Sequence, residues 1–136
     1  MKKLDVTQVP FNSYIGLKFS DAPNLLSVKA EDFHMNHVGT ISASVCMTLA
    51  EVSSGEFLLR NLNLDGKTPV IRNFHCKFKK PALNKIFAQC NASAELIEKW
   101  QVDLDKKGRA LIEVPIEIVD ELGAILVTAK VEWFIC

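Results

Sequence analysis

Strict alternation of apolar and polar residues marks several segments of the chain, most clearly in its second half. Because successive side chains of a strand point to opposite faces, a period of two predicts β-strands with one buried face. A shorter segment with this period runs through Leu26, Val28 and Ala30, and a weaker first strand is predicted near residues 15–19. Strands covered on one side only are typical of antiparallel sheets. The four long alternating segments are residues 70–79, 86–96, 109–118 and 125–135.

A long segment without strand period precedes these four strands. Residues 41–59 are apolar or small almost all the way round a helix, with no charged residue before Glu51. A surface helix would show one apolar stripe and one charged face, so we predict a long helix enclosed by the rest of the protein. Thr40 or Ser42 would cap its start, and Gly39 would allow a tight turn before it. A carboxylate is costly to bury without partners, which makes Glu51 a candidate functional residue.

The segments between the predicted elements are rich in turn-forming residues. One or two strands therefore precede one long helix, and four long strands follow it. A single helix can be enclosed only if the sheet curves around it. We predict one α+β domain over residues 1–136, a curved antiparallel sheet wrapped around one long central helix. The predicted turns are residues 21–24, 61–67, 81–84, 103–108 and 120–123.

Composition and charge narrow the classes of partner. The chain has 136 residues, 49% of them hydrophobic, which suits one domain with a real core. Its formal net charge is +0, so no overall field attracts nucleic acid. No apolar stretch is long enough to span a membrane, and the start lacks the apolar run of a signal peptide. We expect a soluble cytoplasmic protein without a nucleic-acid partner or a membrane span.

The histidines and cysteines do not predict a metal site. His34, His37, His75 and Cys76 match no standard zinc spacing, and the four cysteines include no Cys-x-x-Cys pair. Such scattered cysteines suit reduced thiols. Cys46 has no histidine placed in sequence to activate it, so we expect a packed helix residue. We expect neither a metal nor a separate cofactor.

The central segment resembles the motif of a known family. Residues 36–40 (NHVGT), 42–44 (SAS) and 48–51 (TLAE) are similar to the signature of phenylacetate-type acyl-CoA thioesterases. Those proteins carry an asparagine, then His-Gly-Gly, then Leu-Ala-Asp or Leu-Ala-Glu. Residues 78–82 (FKKPA) and 120–124 (DELGA) resemble later segments of the same family. The resemblance runs from about Tyr14 to the C-terminus and implies the hotdog fold.

The resemblance also implies roles for individual residues. Glu51 matches the helix carboxylate that acts as a general base toward water or as a nucleophile on the thioester carbonyl. Asn36 matches an amide that helps hold water or substrate. Ala43 occupies the position of a glycine whose N–H binds the thioester oxygen, aided by the positive end of the helix dipole. Further substrate contacts are implied at Gly39, Ser42, Ser44, Ser54, Gly55, Lys79 and Lys80.

The implied activity is hydrolysis of an acyl-CoA, or another acyl thioester, to free acid and thiol. Coenzyme A would be part of the substrate, and Lys79 and Lys80 would meet its phosphates, although a solvated strand end is the simpler interpretation of these lysines. The family implies a homodimer or a dimer of dimers, with the asparagine and the carboxylate of one site on different chains.

Three alternatives to this interpretation of the sequence remain open. Residues 42–44 replace the family's His-Gly-Gly, which favours a module that binds acyl-CoA or an acyl chain without hydrolysing it. Glu51 could instead be structural, paired with an arginine such as Arg72 across the core. A hydratase on the same fold is less favoured, because its histidine-containing motif is missing from the sequence.

Overall fold

The computed structural model describes residues 4–136 of the chain, so the first three residues of the predicted domain lie outside the described part. None of the described helices is long and apolar enough to cross a membrane. The helices are α1 (Pro10–Ile15), α2 (Ala43–Asn61) and α3 (Ala94–Lys107), with 3-10 turns at Val6–Gln8 and Asp32–His34. The strands are β1 (Lys18–Phe19), β2 (Asn24–Lys29), β3 (Pro69–Phe78), β4 (Lys85–Gln89), β5 (Ala110–Val119) and β6 (Ile125–Ile135).

The strands of the described residues form one antiparallel sheet in the order β1-β2-β4-β5-β6-β3. The long helix α2 packs against the middle of this sheet, where it contacts β2, β4, β5 and β6. The strand residues in the shared core are apolar and fully buried, among them Val28, Ile86 and Ile116. The predicted α+β architecture, a curved antiparallel sheet wrapped around one long central helix, is confirmed.

The start of α2 is fixed by a cap and by the segment before it. The Ser42 hydroxyl accepts a hydrogen bond from the Ser44 N–H at 3.2 Å, so Ser42 is the cap and the helix begins at Ala43. Ile41 was predicted to be helical, but its N–H donates to the Ala82 carbonyl at 2.7 Å. This bond ties the entry of the helix to the segment that follows β3.

One face of α2 is open to solvent, so the prediction of a helix enclosed on all sides was wrong. Ser44, Met47 and Glu51 are exposed on this face, whereas Leu49 and Ala50 on the other side are completely buried. An apolar residue such as Met47 looks like a core residue in sequence. The exposed apolar side chain instead marks a surface that the described residues of the single chain leave uncovered.

The helix α3 begins within the last part of a predicted strand. Strand β4 ends at Gln89, and α3 covers part of the predicted strand 86–96 and most of the predicted turn 103–108. Ser93 caps α3 by accepting from the Leu96 N–H at 3.1 Å. Trp100 and Leu104, four residues apart, bury one face of this helix. The alternation of small residues before Ser93 had hidden the change from strand period to helix period at this position.

The strand β3 lies at one edge of the sheet. It has ten residues, and it pairs with β6 from Pro69 to Phe78 apart from one register shift between Ile71 and Asn73. Its outer edge has no neighbouring strand in the described part of the chain. A long edge of this kind presents unpaired N–H and C=O groups, which are a template for another strand.

Candidate functional site

An open pocket of about 340 Å³ lies at the N-terminus of α2. It brings together four residues that the motif had singled out, although they come from three separate segments. These residues are Asn36, Ala43, Lys79 and Lys80. The pocket forms because the Ile41–Ala82 hydrogen bond holds the start of α2 against the segment that follows β3.

Asn36 organises the turn that leads into the helix. Its Oδ1 accepts from the N–H groups of Val38 at 3.0 Å and Thr40 at 3.1 Å, and its Nδ2 donates to the Thr40 hydroxyl at 2.8 Å. The amide nitrogen carries two donor hydrogens, so one remains for a ligand in the pocket. Gly39 closes the same turn with a φ of +78°, a conformation that glycine adopts without strain. Thr40 lines the pocket too, and the motif gave no role to its hydroxyl.

Ala43 occupies the first position of α2 and lines the pocket. An N–H at this position has no helical carbonyl to bond. The carbonyl of Ser42 accepts from Val45 at 3.0 Å and from Cys46 at 3.3 Å, so those N–H groups are already engaged. The N–H of Ala43 therefore offers a donor at the positive end of a long helix. Ser42 and Ser44 flank it, the first as the helix cap and the second with an exposed side chain.

Lys79 and Lys80 supply positive charge to the pocket. They follow β3 directly, and the N–H groups of both donate to the Leu126 carbonyl, at 2.8 Å and 3.1 Å. Their side chains are exposed, and neither forms an ion pair with another described residue. Two ordered backbone positions therefore present two free ammonium groups beside the helix N-terminus.

The floor of the pocket is apolar and buried, a feature that the motif did not predict. Ile41, Cys46, Ala82 and Val127 line it, and all four are almost completely buried. Burial raises the pKa of the Cys46 thiol to about 11, so the thiol stays protonated at neutral pH. Cys46 is therefore a packed residue of the pocket floor and not a nucleophile. Its position one turn after Ala43 is the sequence signal that could have assigned it to the pocket.

Glu51 does not line this pocket. It lies about two turns along α2, on the open face with Ser44 and Met47. Although its side chain reaches solvent, partial burial by the surrounding protein raises the pKa of its carboxyl. The alternative ion pair with Arg72 is not formed, because the Arg72 guanidinium lies over the Phe134 ring, 5.6 Å from its centroid.

Ser54 and Gly55 attach the Glu51 turn of α2 to the sheet. The Ser54 hydroxyl donates to the Glu51 carbonyl at 2.6 Å and accepts from the Trp133 indole N–H at 2.9 Å. A Cβ on Gly55 would lie 3.3 Å from the Trp133 ring, so glycine permits this close approach. The two residues face the core, and they fix the turn from which Glu51 projects.

The predicted site residues therefore form two groups in the single chain. Asn36, Ala43, Lys79 and Lys80 surround the pocket, whereas Glu51 stands outside it on an open helix face. Within residues 4–136, no group of three or more histidine, cysteine, aspartate or glutamate side chains is placed to hold a metal.

Several solved structures are similar to this chain. A Pseudomonas aeruginosa protein described as a probable thioesterase has a TM-score of 0.82 at 21% identity, covering 96% of this chain and 89% of its own. A Haemophilus influenzae thioesterase has a TM-score of 0.72 at 16% identity, covering 96% and 85%. A Bacillus halodurans protein solved with CoA has a TM-score of 0.70 at 15% identity, covering 93% and 75%.

These likenesses confirm the hotdog fold that the central motif implied. No curated protein sequence matches the chain. A family model does match it, over residues 7–135, which is nearly its whole length. The chain belongs to this family, which is described as a domain of unknown function, DUF4442.

Proposed function

We propose that the protein hydrolyses an acyl-CoA, or another acyl thioester, to the free acid and thiol. The observation that carries the proposal is the pocket at the start of α2. There a free helix N–H, an amide and two ammonium groups surround an apolar floor. The similar structures described as thioesterases, and the one that contains CoA, support the same class of substrate.

The pocket matches the parts of an acyl thioester. Lys79 and Lys80 suit the phosphates of coenzyme A, because an ammonium group interacts with phosphate as a compact charge. The buried floor around Cys46 and Val127 suits an apolar acyl group. The thioester carbonyl would then lie at the Ala43 N–H, between the two ends of the substrate.

Hydrolysis needs a base and an oxyanion donor. Glu51 removes a proton from water, and the water oxygen bonds to the thioester carbon. The carbonyl oxygen becomes an oxyanion, which the Ala43 N–H stabilises, an effect often worth about 2.7–4 kcal/mol for one donor. The carbonyl then re-forms as the C–S bond breaks, and the thiolate takes the proton back from Glu51 and leaves as the thiol. Asn36 holds the attacking water through its remaining amide hydrogen.

The working form is a homodimer, alone or within a dimer of dimers. Glu51 lies outside the pocket of its own chain, and within residues 4–136 nothing covers the open face of α2 or pairs with the long edge of β3. A second copy that covers these surfaces with two-fold symmetry can bring its Glu51 to the pocket. The catalytic groups of each site then come from two chains.

The test is thiol release from short, long and aromatic acyl-CoAs. We expect turnover by the wild type and a loss of at least about 100-fold in kcat for Glu51→Gln, because the amide cannot take a proton. The matched control is Glu98→Gln, at an exposed position of α3, which should keep full activity. Equal turnover in the wild type and Glu51→Gln would contradict the assigned base.

The second candidate is a module that binds acyl-CoA without hydrolysing it. It is favoured by Asn36, whose side chain makes three hydrogen bonds within its own turn and so resembles a structural residue. No thiol release from any acyl-CoA, together with retained acyl-CoA binding in Glu51→Gln, would support this candidate and reject the hydrolase.

A further inference from the structure

A second and larger cavity, of about 700 Å³, lies on the other side of the sheet. Its floor is formed by β1, β2 and the start of β4. Its walls are the end of α1 and the 3-10 turn Asp32–His34. Its volume falls within the range of small-molecule sites. None of the residues assigned to the thioester site lines it.

The strand register places this cavity on the face opposite α2. Ser27 pairs with Lys18 of β1, and Lys29 pairs with Lys85 of β4. Directly paired residues share a face of the sheet, as do residues two apart on one strand. The three lysines and Ser27 therefore share one face, whereas Val28 lies on the other face, in the core with α2.

Three lysines surround the Ser27 hydroxyl in this cavity, and the ammonium of one of them, Lys85, lies over the Phe87 ring, 5.3 Å from its centroid. None of Lys18, Lys29 and Lys85 forms an ion pair with another residue of the described chain. Ser27 is only 4% exposed, and none of the side-chain hydrogen bonds found within residues 4–136 uses its hydroxyl. Three ammonium groups and a free hydroxyl are the chemistry that recognises a phosphate.

Two carboxylates also line the cavity, those of Asp21 and Glu31. The His34 N–H donates to the Glu31 backbone carbonyl at 3.0 Å, and within residues 4–136 neither carboxylate forms an ion pair with one of the lysines. Three lysines therefore stand against two carboxylates in the lining. The His34 ring is held on both sides, since Nδ1 accepts from the Glu31 N–H at 2.9 Å and Nε2 donates to the Ile15 carbonyl at 2.7 Å. These bonds join the two walls, so the cavity is preformed.

An aromatic surface stands beside the lysines. Tyr14 and Phe33 are 73% and 55% exposed, although both are large side chains. Their ring centroids are 5.4 Å apart in a tilted pair, and both rings line the cavity. Exposed rings next to cationic groups are the usual means of holding a flat, anionic, aromatic ligand, because a base stacks on the ring while phosphate meets the charge.

We propose that this cavity is a second binding site, for a nucleoside phosphate. The base stacks on Tyr14 and Phe33, and the phosphate lies among Lys18, Lys29 and Lys85 with the Ser27 hydroxyl. The site stands independently of the thioester proposal, since the two share no residue and lie on opposite faces of the sheet.

The experiment is calorimetric titration of the full chain with ADP, adenosine and inorganic pyrophosphate. We expect ADP to bind at least about tenfold more tightly than either fragment, because both halves of the site contribute. Combined Lys29→Ala and Lys85→Ala changes should weaken ADP by about tenfold or more, and Phe33→Ala by about five- to tenfold. A Lys99→Ala and Lys106→Ala pair on α3 is the matched control and should leave ADP binding unchanged.

Three results would overturn the proposal. They are no ADP binding at millimolar concentration, pyrophosphate binding as tight as ADP, and loss of ADP binding in a Lys79→Ala, Lys80→Ala variant but not in the Lys29→Ala, Lys85→Ala variant. Competition by CoA distinguishes the source of the nucleotide. If CoA displaces ADP from the wild type, the ligand is the nucleotide end of CoA. If CoA does not displace ADP, the ligand is a free nucleotide.

Discussion

The carboxyl of Glu51 combines solvent access with a raised pKa, and both properties follow from its position on the open face of α2. Desolvation disfavours the charged form of a carboxyl group. A base must be reachable by water and must be ionised when it acts. This residue meets the first condition in the single chain, and its pKa sets the pH at which it meets the second.

The activity should therefore rise with pH as the Glu51 carboxyl loses its proton. Since a base works only when deprotonated, we expect the midpoint of kcat/KM against pH to lie above the ordinary glutamate value of about 4.3. The measurement is thiol release between pH 4 and pH 8. A midpoint at or below the ordinary value would argue against Glu51 as the base.

The same raised pKa predicts a sign for stability. A carboxyl whose folded pKa lies above its unfolded value stabilises the fold at low pH, and this stability is lost as pH rises through the folded pKa. Glu51→Gln should thus unfold at the same or a slightly higher temperature than wild type at pH 8. We expect a gain of a few tenths of a kcal/mol, because solvent screens an exposed charge.

The comparison at low pH completes this test. The difference between Glu51→Gln and wild type should shrink toward pH 4, because the glutamate becomes increasingly protonated in both states as the pH falls toward its pKa. Thermal unfolding at the two pH values measures it, with Glu98→Gln as the control. A Glu51→Gln protein that is clearly less stable at pH 8 would indicate a structural ion pair.

Among the elements, α3 shows how local sequence pattern can mislead. Ala92, Ala94 and Leu96 continue the alternation of β4, so a period of two extends across the cap at Ser93. The helical signals were present, since Trp100 and Leu104 are four residues apart and Gly108 follows the last turn. The long strands were predictable because ten residues of alternation exclude a helix, whereas short segments fit both periods.

The cap of α3 should make a measurable contribution to stability. Ser93→Ala removes the acceptor of the Leu96 N–H, and loss of such a cap costs about 1 kcal/mol. Urea unfolding monitored by circular dichroism measures the change. Ser93→Asp restores the acceptor and should recover most of the loss. If both variants were equally destabilised, the hydroxyl cap would not be the cause.

At the scale of the whole molecule, the residues of the candidate site were easier to predict than their arrangement. The motif identified Asn36, Ala43 and the two lysines, and the fold brings them to one pocket. The family resemblance implied the separation of Glu51 from that pocket, because it places the asparagine and the carboxylate of one site on different chains, but the residue pattern alone could not show it. Apolar periodicity shows which face of α2 is hydrophobic, but it cannot show that the described part of the chain leaves Met47 exposed.

A site shared between two chains can be tested by complementation. Glu51→Ala and Asn36→Ala proteins should each be inactive alone. Unfolded and refolded together in equal amounts, half of the dimers are mixed, and one of the two sites in each mixed dimer is intact. We therefore expect about a quarter of wild-type activity. No recovery, with both variants folded and dimeric by light scattering, would place the complete site in one chain.

The contact between Trp133 and the helix turn of Glu51 has an optical consequence. The indole N–H bonds to Ser54, its ring packs on Gly55, and Ser54 in turn holds the Glu51 carbonyl. Any tilt of α2 against β6 changes the surroundings of this fluorophore. Because the chain has two tryptophans, Trp100→Phe leaves Trp133 as the sole emitter, and the protein then carries a built-in reporter of helix movement that needs no attached label.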